Sequence, residues 1–234
     1  ISLREYSEVS VKSGKKKYSK DKIAVIYAQG DISSGEGDNL SIGSVTTSKA
    51  IKEAREDERV KAIVLRVNSP GGSALASDVI WRETVLAGEA KPFVVSFGDV
   101  AASGGYYMAT AGDKIFAENN TITGSIGVFG LMFNVSELTE NIGVNVEKVK
   151  THKMSDFPSF DRSLTSKEKT RVQLGINKVY DVFLDRVAKG RGLSIEKVEG
   201  LASGRVWTGR QAKENGLVDS IGGLNMAIET AKQA

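Results

Sequence analysis

The chain has 234 residues, of which 40% are hydrophobic and 26% charged, enough to bury a substantial core as one large domain or two small ones. A net charge of +3 is too small to argue for a nucleic-acid partner. The absence of cysteine excludes a disulfide framework, a thiol nucleophile and a cysteine zinc site, and a single histidine, His152, excludes sites built from several.

Residues 1–22 read as a polar arm crowded with Lys12, Lys15, Lys16, Lys17, Lys20 and Lys22, and residues 23–234 as a single domain. No run approaches the roughly 18–20 apolar residues of a membrane span, and the start carries no signal-peptide pattern. Because the first residue is Ile, the chain is expected to be a processed or truncated piece. Ile23–Tyr27 reads as a buried strand, Ser48–Glu58 as a helix and Ala62–Val67 (AIVLRV) as a second apolar strand. Ser73–Ala87 is helical, Phe93–Phe97 is a third strand, and the small-residue segment Val100–Gly105 leads into an apolar helix from Ser103 to Ala111. Short strands are expected at Lys114–Ala117 and Val144–Lys150, with Val135–Asn141 helical between them. Thr165–Gly190 carries a long amphipathic helix with Val172, Ile176, Val179, Phe183 and Val187 on one face, and Thr165 with Glu168 fits a capping box. Strands alternating with helices predict an α/β domain with mostly parallel strands and a long helical segment toward the C-terminus.

Two glycine turns follow buried strands. In Asn68-Ser69-Pro70-Gly71-Gly72-Ser73 the glycines let backbone N–H groups approach a ligand, at the entrance to a helix. Taken alone, the turn is equally a tight strand-to-helix connection; it is neither a Walker loop nor G-x-G-x-x-G. In Ala101-Ala102-Ser103-Gly104-Gly105-Tyr106-Tyr107 a serine flanked by small residues opens a helix. A serine there is commonly an N-cap, and the motif is not the G-x-S-x-G elbow.

NSPGG, then AASGGYY about thirty residues on, then Thr123-Gly124-Ser125-Ile126-Gly127, together resemble the bacterial signal peptide peptidase (protease IV) family. The segments Gly204-Arg205-Val206-Trp207-Thr208-Gly209-Arg210-Gln211-Ala212 and Gly216-Leu217-Val218-Asp219 match in the same order. More distantly, the turns resemble the Clp peptidase and crotonase superfamily, which implies a core of repeated β-β-α units. The resemblance implies that Ser103 is the nucleophile, with N–H groups of Gly104 and of the Gly71–Gly72 turn as the oxyanion hole. Fixed donors of that kind contribute about 3–4 kcal/mol each. It implies Lys153 as general base and Ser125 as the hydroxyl that orients it. A triad of His152 and Asp156 with the serine is the alternative that the lone histidine leaves open.

A lysine base must be neutral, yet a free lysine with pKa about 10.4 is protonated at pH 7. Burial lowers that value, so Lys153 is expected to work only when its loop is covered. The opening of the chain resembles the junction and C-terminal half of the family's long, two-half members, and in both long and short members the dyad is assembled across two domain copies. Lys153 is therefore expected to serve the Ser103 of a neighbour in a homo-oligomer, unless an N-terminal half supplies the lysine. The family implies apolar signal-peptide remnants as substrate, no metal or other cofactor, no nucleic acid, and a membrane-anchored parent at the periplasmic face of a bacterial inner membrane. Two other readings are a crotonase-like acyl-CoA enzyme using Asp78, Glu83 or Asp99, and a pseudo-peptidase domain that keeps the fold without the chemistry.

Overall fold

The computed structural model describes residues 19–38 and 40–234, so most of the Lys-rich arm expected at 1–22 lies outside the described residues. In chain order the strands are β1 (Lys22–Gln29), β2 (Asp31–Ser33), β3 (Ser41–Gly43), β4 (Val60–Ser69), β5 (Phe93–Ala102), β6 (Lys114–Ala117), β7 (Ile122–Gly124), β8 (Val206–Thr208) and β9 (Ser220–Ile221). The helices are α1 (Ser44–Glu56), α2 (Ala74–Ala90), α3 (Gly104–Ala109), α4 (Ser136–Asn141), α5 (Ser166–Arg191), α6 (Ile195–Leu201), α7 (Gly209–Asn215) and α8 (Leu224–Gln233).

The main sheet runs β1-β4-β5-β6-β9 and is parallel along that path. The apolar run AIVLRV lies within β4, and its two faces explain why it does not alternate. Ile63, Leu65 and Val67 enter the large core with Phe93, Val95 and Phe97 of β5, Ile51 of α1, Ile80 of α2 and Val187 of α5. Ala62 and Val64 point the other way, with Val94 and Phe116, onto Ala227 and Ala231 of α8. A fully buried Ile, Leu or Phe of this kind is worth about 1.5–3 kcal/mol, so the sandwiching of β4 and β5 fixes the frame.

The sheet splits beside the second glycine turn. The first part of β5 pairs with β6 through Val94–Ser96, while its last residues, Val100–Ala102, pair with β7. β7 in turn pairs antiparallel with β8. Ser69 is in register with Ala101, which sets the ends of β4 and β5, and the turns that follow them, side by side. Ligands of parallel sheets bind at the carboxyl ends of strands where the sheet divides in this way.

The expected capping box is present in both directions, with Thr165 accepting from the Glu168 N–H and Glu168 accepting from the Thr165 N–H. The stripe of α5 is buried only in its second half, where Phe183 and Val187 reach the core, whereas Val172 and Ile176 are half-buried and Val179 is exposed. The strand expected at Val144–Lys150 does not form: the segment is irregular and Val144, Val146 and Val149 are exposed. Alternating valines give a strand only where a sheet edge receives them, and none of the described strands pairs with this segment.

Candidate active site

Ser103 stands between β5 and α3 with φ 51° and ψ −121°, a conformation that non-glycine residues rarely adopt. Its N–H donates to the Gly124 carbonyl at 2.9 Å and its carbonyl accepts from the Tyr107 N–H at 2.8 Å. Its side chain makes no capping bond to α3. The hydroxyl is therefore not spent on the helix, and the N-cap reading fails. Behind it, the Tyr106 hydroxyl donates to the Leu217 carbonyl at 2.8 Å and the Tyr107 hydroxyl to Asp78 at 2.5 Å. Burial pushes both phenols well above their usual range, which keeps them as neutral donors anchoring α3.

The NSPGG turn folds over the serine. Ile32 of β2 bridges to Gly72, donating its N–H to the Gly71 carbonyl and accepting from the Ser73 N–H, both at 2.8 Å. Gly71 has φ 110°, and a Cβ there would lie 2.8 Å from the Ser103 Cβ and 2.9 Å from the Gly104 nitrogen. A Cβ on Gly104 would lie 3.4 Å from the Gly72 nitrogen. The three glycines thus bring two backbone turns into contact around Ser103. Their N–H groups differ, however. That of Gly71 already donates to Ser69 Oγ at 3.1 Å, while those of Gly72 and Gly104 have no acceptor among the described residues. Gly71 is a spacer here, and the available donors are Gly72 and Gly104.

Ser103, Gly71, Gly72 and Ser125 line one open cavity of about 830 Å³, whose walls also include Asp31, Phe129, Ile176, Tyr180 and Ser203. A second pocket of about 250 Å³ opens from Ser103 and Gly104 between Ala74, Tyr107, Val128, Val179 and Phe183. It is mostly apolar and has room for an aliphatic side chain. Among the described residues the positive-φ positions other than glycine are Ser103, Ser125 (φ 48°) and Ser203 (φ 61°), and all three face the larger cavity. Strained backbone of this sort, about 1–3 kcal/mol per residue, collects at functional sites. Ser203 was invisible to motif reading because only its conformation, held by its N–H donating to the Tyr180 hydroxyl at 3.2 Å, marks it. Asp31 was missed for a related reason: only the approach of β2 to the glycine turn brings it to the cavity.

Lys153 lines neither cavity; it is exposed in a turn closed by the Ser155 N–H donating to the His152 carbonyl at 3.2 Å. Among the described residues no lysine, arginine or histidine lines the cavities that hold Ser103. The triad fares worse. His152 accepts from the Met154 N–H at 3.4 Å, and Asp156 is engaged by Lys148, Lys150 and Arg162 rather than by the imidazole. Of the acids considered for acyl-CoA chemistry, Asp78 is held by Tyr107, Glu83 lies near Arg55 at 3.6 Å and Asp99 lines a different cavity.

A serine hydroxyl on strained backbone with no hydrogen bond among the described residues, N–H donors without an acceptor among them and an adjoining apolar pocket together define a serine-hydrolase type of site. Residues 86–234, more than half of the chain, match the profile of Peptidase family S49. The chain is 43% identical over 219 residues to a chloroplastic serine protease SPPA of Arabidopsis thaliana, covering 92% of this chain and 32% of that protein. It is 45% identical over 212 residues to Protease 4 of Salmonella typhi and 44% over 214 residues to Protease 4 of Haemophilus influenzae. Those alignments cover 90% and 91% of this chain but 34% and 35% of the relatives, so the chain spans about a third of the length of these proteins. The chain belongs to peptidase family S49, the serine peptidases with a Clp/crotonase-like α/β core.

Proposed function

We propose that this chain is the nucleophile-bearing unit of a peptidase that degrades apolar signal-peptide remnants, with Ser103 attacking and Lys153 of a second domain copy as base. The observation that carries this reading is the division of the chemistry. Ser103 lies in a cavity that no basic side chain lines among the described residues, while Lys153 is exposed on a separate loop. That loop and its approach are rich in uncovered apolar surface, including Phe129, Leu131, Phe133, Leu138, Ile142 and Val149. A second copy packed there would bury this surface and dehydrate the amine, favouring its neutral form.

In the complete site the Lys153 amine takes the proton as Ser103 Oγ attacks the carbonyl carbon. The oxyanion is held by the N–H groups of Gly72 and Gly104. Collapse breaks the C–N bond, the ammonium returns its proton to the leaving amine, and water activated by the same lysine hydrolyses the ester. Ser125, beside Ser103 in the cavity, orients the incoming lysine. The 250 Å³ pocket takes an aliphatic or small side chain, which suits the apolar core of a signal peptide. The irregular stretch Gly127–Phe129 borders both cavities and offers backbone to an extended substrate.

Such a substrate places the working enzyme at the periplasmic face of a bacterial inner membrane. Among the described residues no helix is long and apolar enough to cross a membrane. The test is hydrolysis of a fluorogenic peptide with leucine at the cleavage position, together with labelling by a fluorophosphonate. Ser103→Ala and Lys153→Ala should each lose at least about 10³-fold in kcat. Full activity of Lys153→Ala would overturn the dyad, and full activity of Ser103→Ala would overturn the nucleophile. The same absence of a base from the cavity among the described residues favours a second reading, a catalytically incomplete unit whose lysine comes from a different half; peptide turnover by an assembly of this chain alone would exclude it.

A further inference from the structure

The loop that carries Lys153 is held by charge rather than by a core. Between residues 142 and 165 only Ser159 is buried. In place of apolar packing, Asp156 receives Lys150 Nζ at 2.7 Å, Arg162 Nε at 3.0 Å and Lys148 Nζ at 3.3 Å. Lys148 also reaches Asp161 and Ser159. Arg162 then forks onto Glu168, with its two terminal nitrogens 2.8 and 2.6 Å from the two carboxylate oxygens. The Glu168 side chain is 1% exposed and belongs to the capping box that starts α5. The clasp thus runs from the first turn of a long helix, through Arg162 and Asp156, to the two lysines just before the Lys153 turn.

Bidentate Arg–carboxylate pairs are directional as well as strong, so they fix geometry where packing does not. The carboxylates stay charged throughout the neutral range. Arg162 foremost, with the two lysines, holds Asp156 far below the usual carboxylate range, and Arg162 with the Thr165 amide holds Glu168 at about 2. Of the three lysines in this loop, Lys153 alone has no ion pair or hydrogen bond among the described residues.

We propose that Asp156 and Arg162, tethered by Glu168, are positioning residues that hold the Lys153 turn in the one orientation from which it enters a neighbour's site, and that the pairing of Lys148 and Lys150 with Asp156, and of Lys148 with Asp161, leaves Lys153 as the base. The proposal rests on Lys153 being that base. Its consequence is a separation of effects. Loosening the clasp displaces the amine without touching the substrate pockets, and a misplacement of ~1 Å can cost about 100-fold in rate.

The test is steady-state hydrolysis of the leucyl fluorogenic peptide by the full-length protein and its Asp156→Asn, Asp156→Glu, Arg162→Lys and Lys153→Ala variants. Asp156→Asn should lower kcat by about 10- to 100-fold with KM changed less than about twofold. Asp156→Glu should recover most of the loss, and Arg162→Lys, which keeps the charge but loses the fork, should fall between. If Lys153→Ala is inactive while Asp156→Asn and Arg162→Lys keep the kcat of the parent, the clasp has no such role and the base assignment stands. If kcat holds and KM rises, the loop serves substrate binding and the proposal fails. An active Lys153→Ala overturns the base and the clasp together. Should Asp156→Asn not fold, Arg162→Lys decides on the same criteria.

Discussion

The two halves of the proposed dyad are built in opposite ways. Ser103 is held by backbone: strained φ, the parallel pairing of β4, β5 and β7, and glycines packed so closely that a Cβ on Gly71 would lie 2.8 Å from the serine. The loop that carries Lys153 is held by side-chain charge and has one buried residue. The serine half is framed by buried neighbours of the large core, Ala101, Tyr106 and Tyr107. The loop that carries Lys153 is left uncovered, which is what the proposed base would need before a second copy packs on it.

That contrast can be broken from either side. The largest effect is expected at the serine half. Gly72→Ala would put a Cβ 2.2 Å from the Ile32 carbonyl oxygen, a backbone atom that cannot swing away. It should abolish activity and lower the unfolding free energy by about 3 kcal/mol or more, read from urea titration. Retention of both would show that the turn is not the rigid frame described. Loosening of the lysine clasp comes next, at about 10- to 100-fold in kcat with the melting temperature little changed.

A smaller effect is expected at Ser203. Replacing it by glycine removes the cost of a φ of 61° and should stabilise the chain by up to about 1 kcal/mol in the same titration. A destabilisation would mean that the hydroxyl does structural work that outweighs the strain. The smallest effect is of pH. Salt-bridged carboxylates with depressed pKa values stabilise above their unfolded value near 4 and lose that contribution as pH falls toward the folded value, about 2 for Asp161 and Glu168. Amide exchange of residues 148–168 should therefore stay slow from pH 8 to about 5 and quicken relative to the β4–β5 core between about pH 4 and 2. Equal protection of loop and core in acid would mean that charge does not hold the loop.

The serine half was largely legible in the sequence, because its chemistry is local. NSPGG and AASGGYY each follow an apolar strand, and the parallel pairing of those strands brings the turns together. Even so, motif reading gave Gly71 a donor role that its bond to Ser69 Oγ has already taken. Asp31 and Ser203 escaped because they join the cavity only through β2 and through the α6–β8 connection. The lysine half was legible as a position but not as a place. Valines alternating over 144–150 read as a strand, yet no described strand receives them, and nothing local distinguishes Lys153 from Lys148 and Lys150. What separates them is the pairing with Asp156 and Asp161, which involves residues up to thirteen positions away.

The central claim is that Ser103 and Lys153 work from different copies, and subunit mixing tests it most directly. Ser103→Ala and Lys153→Ala proteins, each inactive, are dissociated together, reassembled and assayed on the leucyl peptide. A site built across two copies predicts recovered activity, with roughly a quarter of the sites complete in a randomly mixed assembly. A co-assembled mixture as inactive as either parent would contradict it.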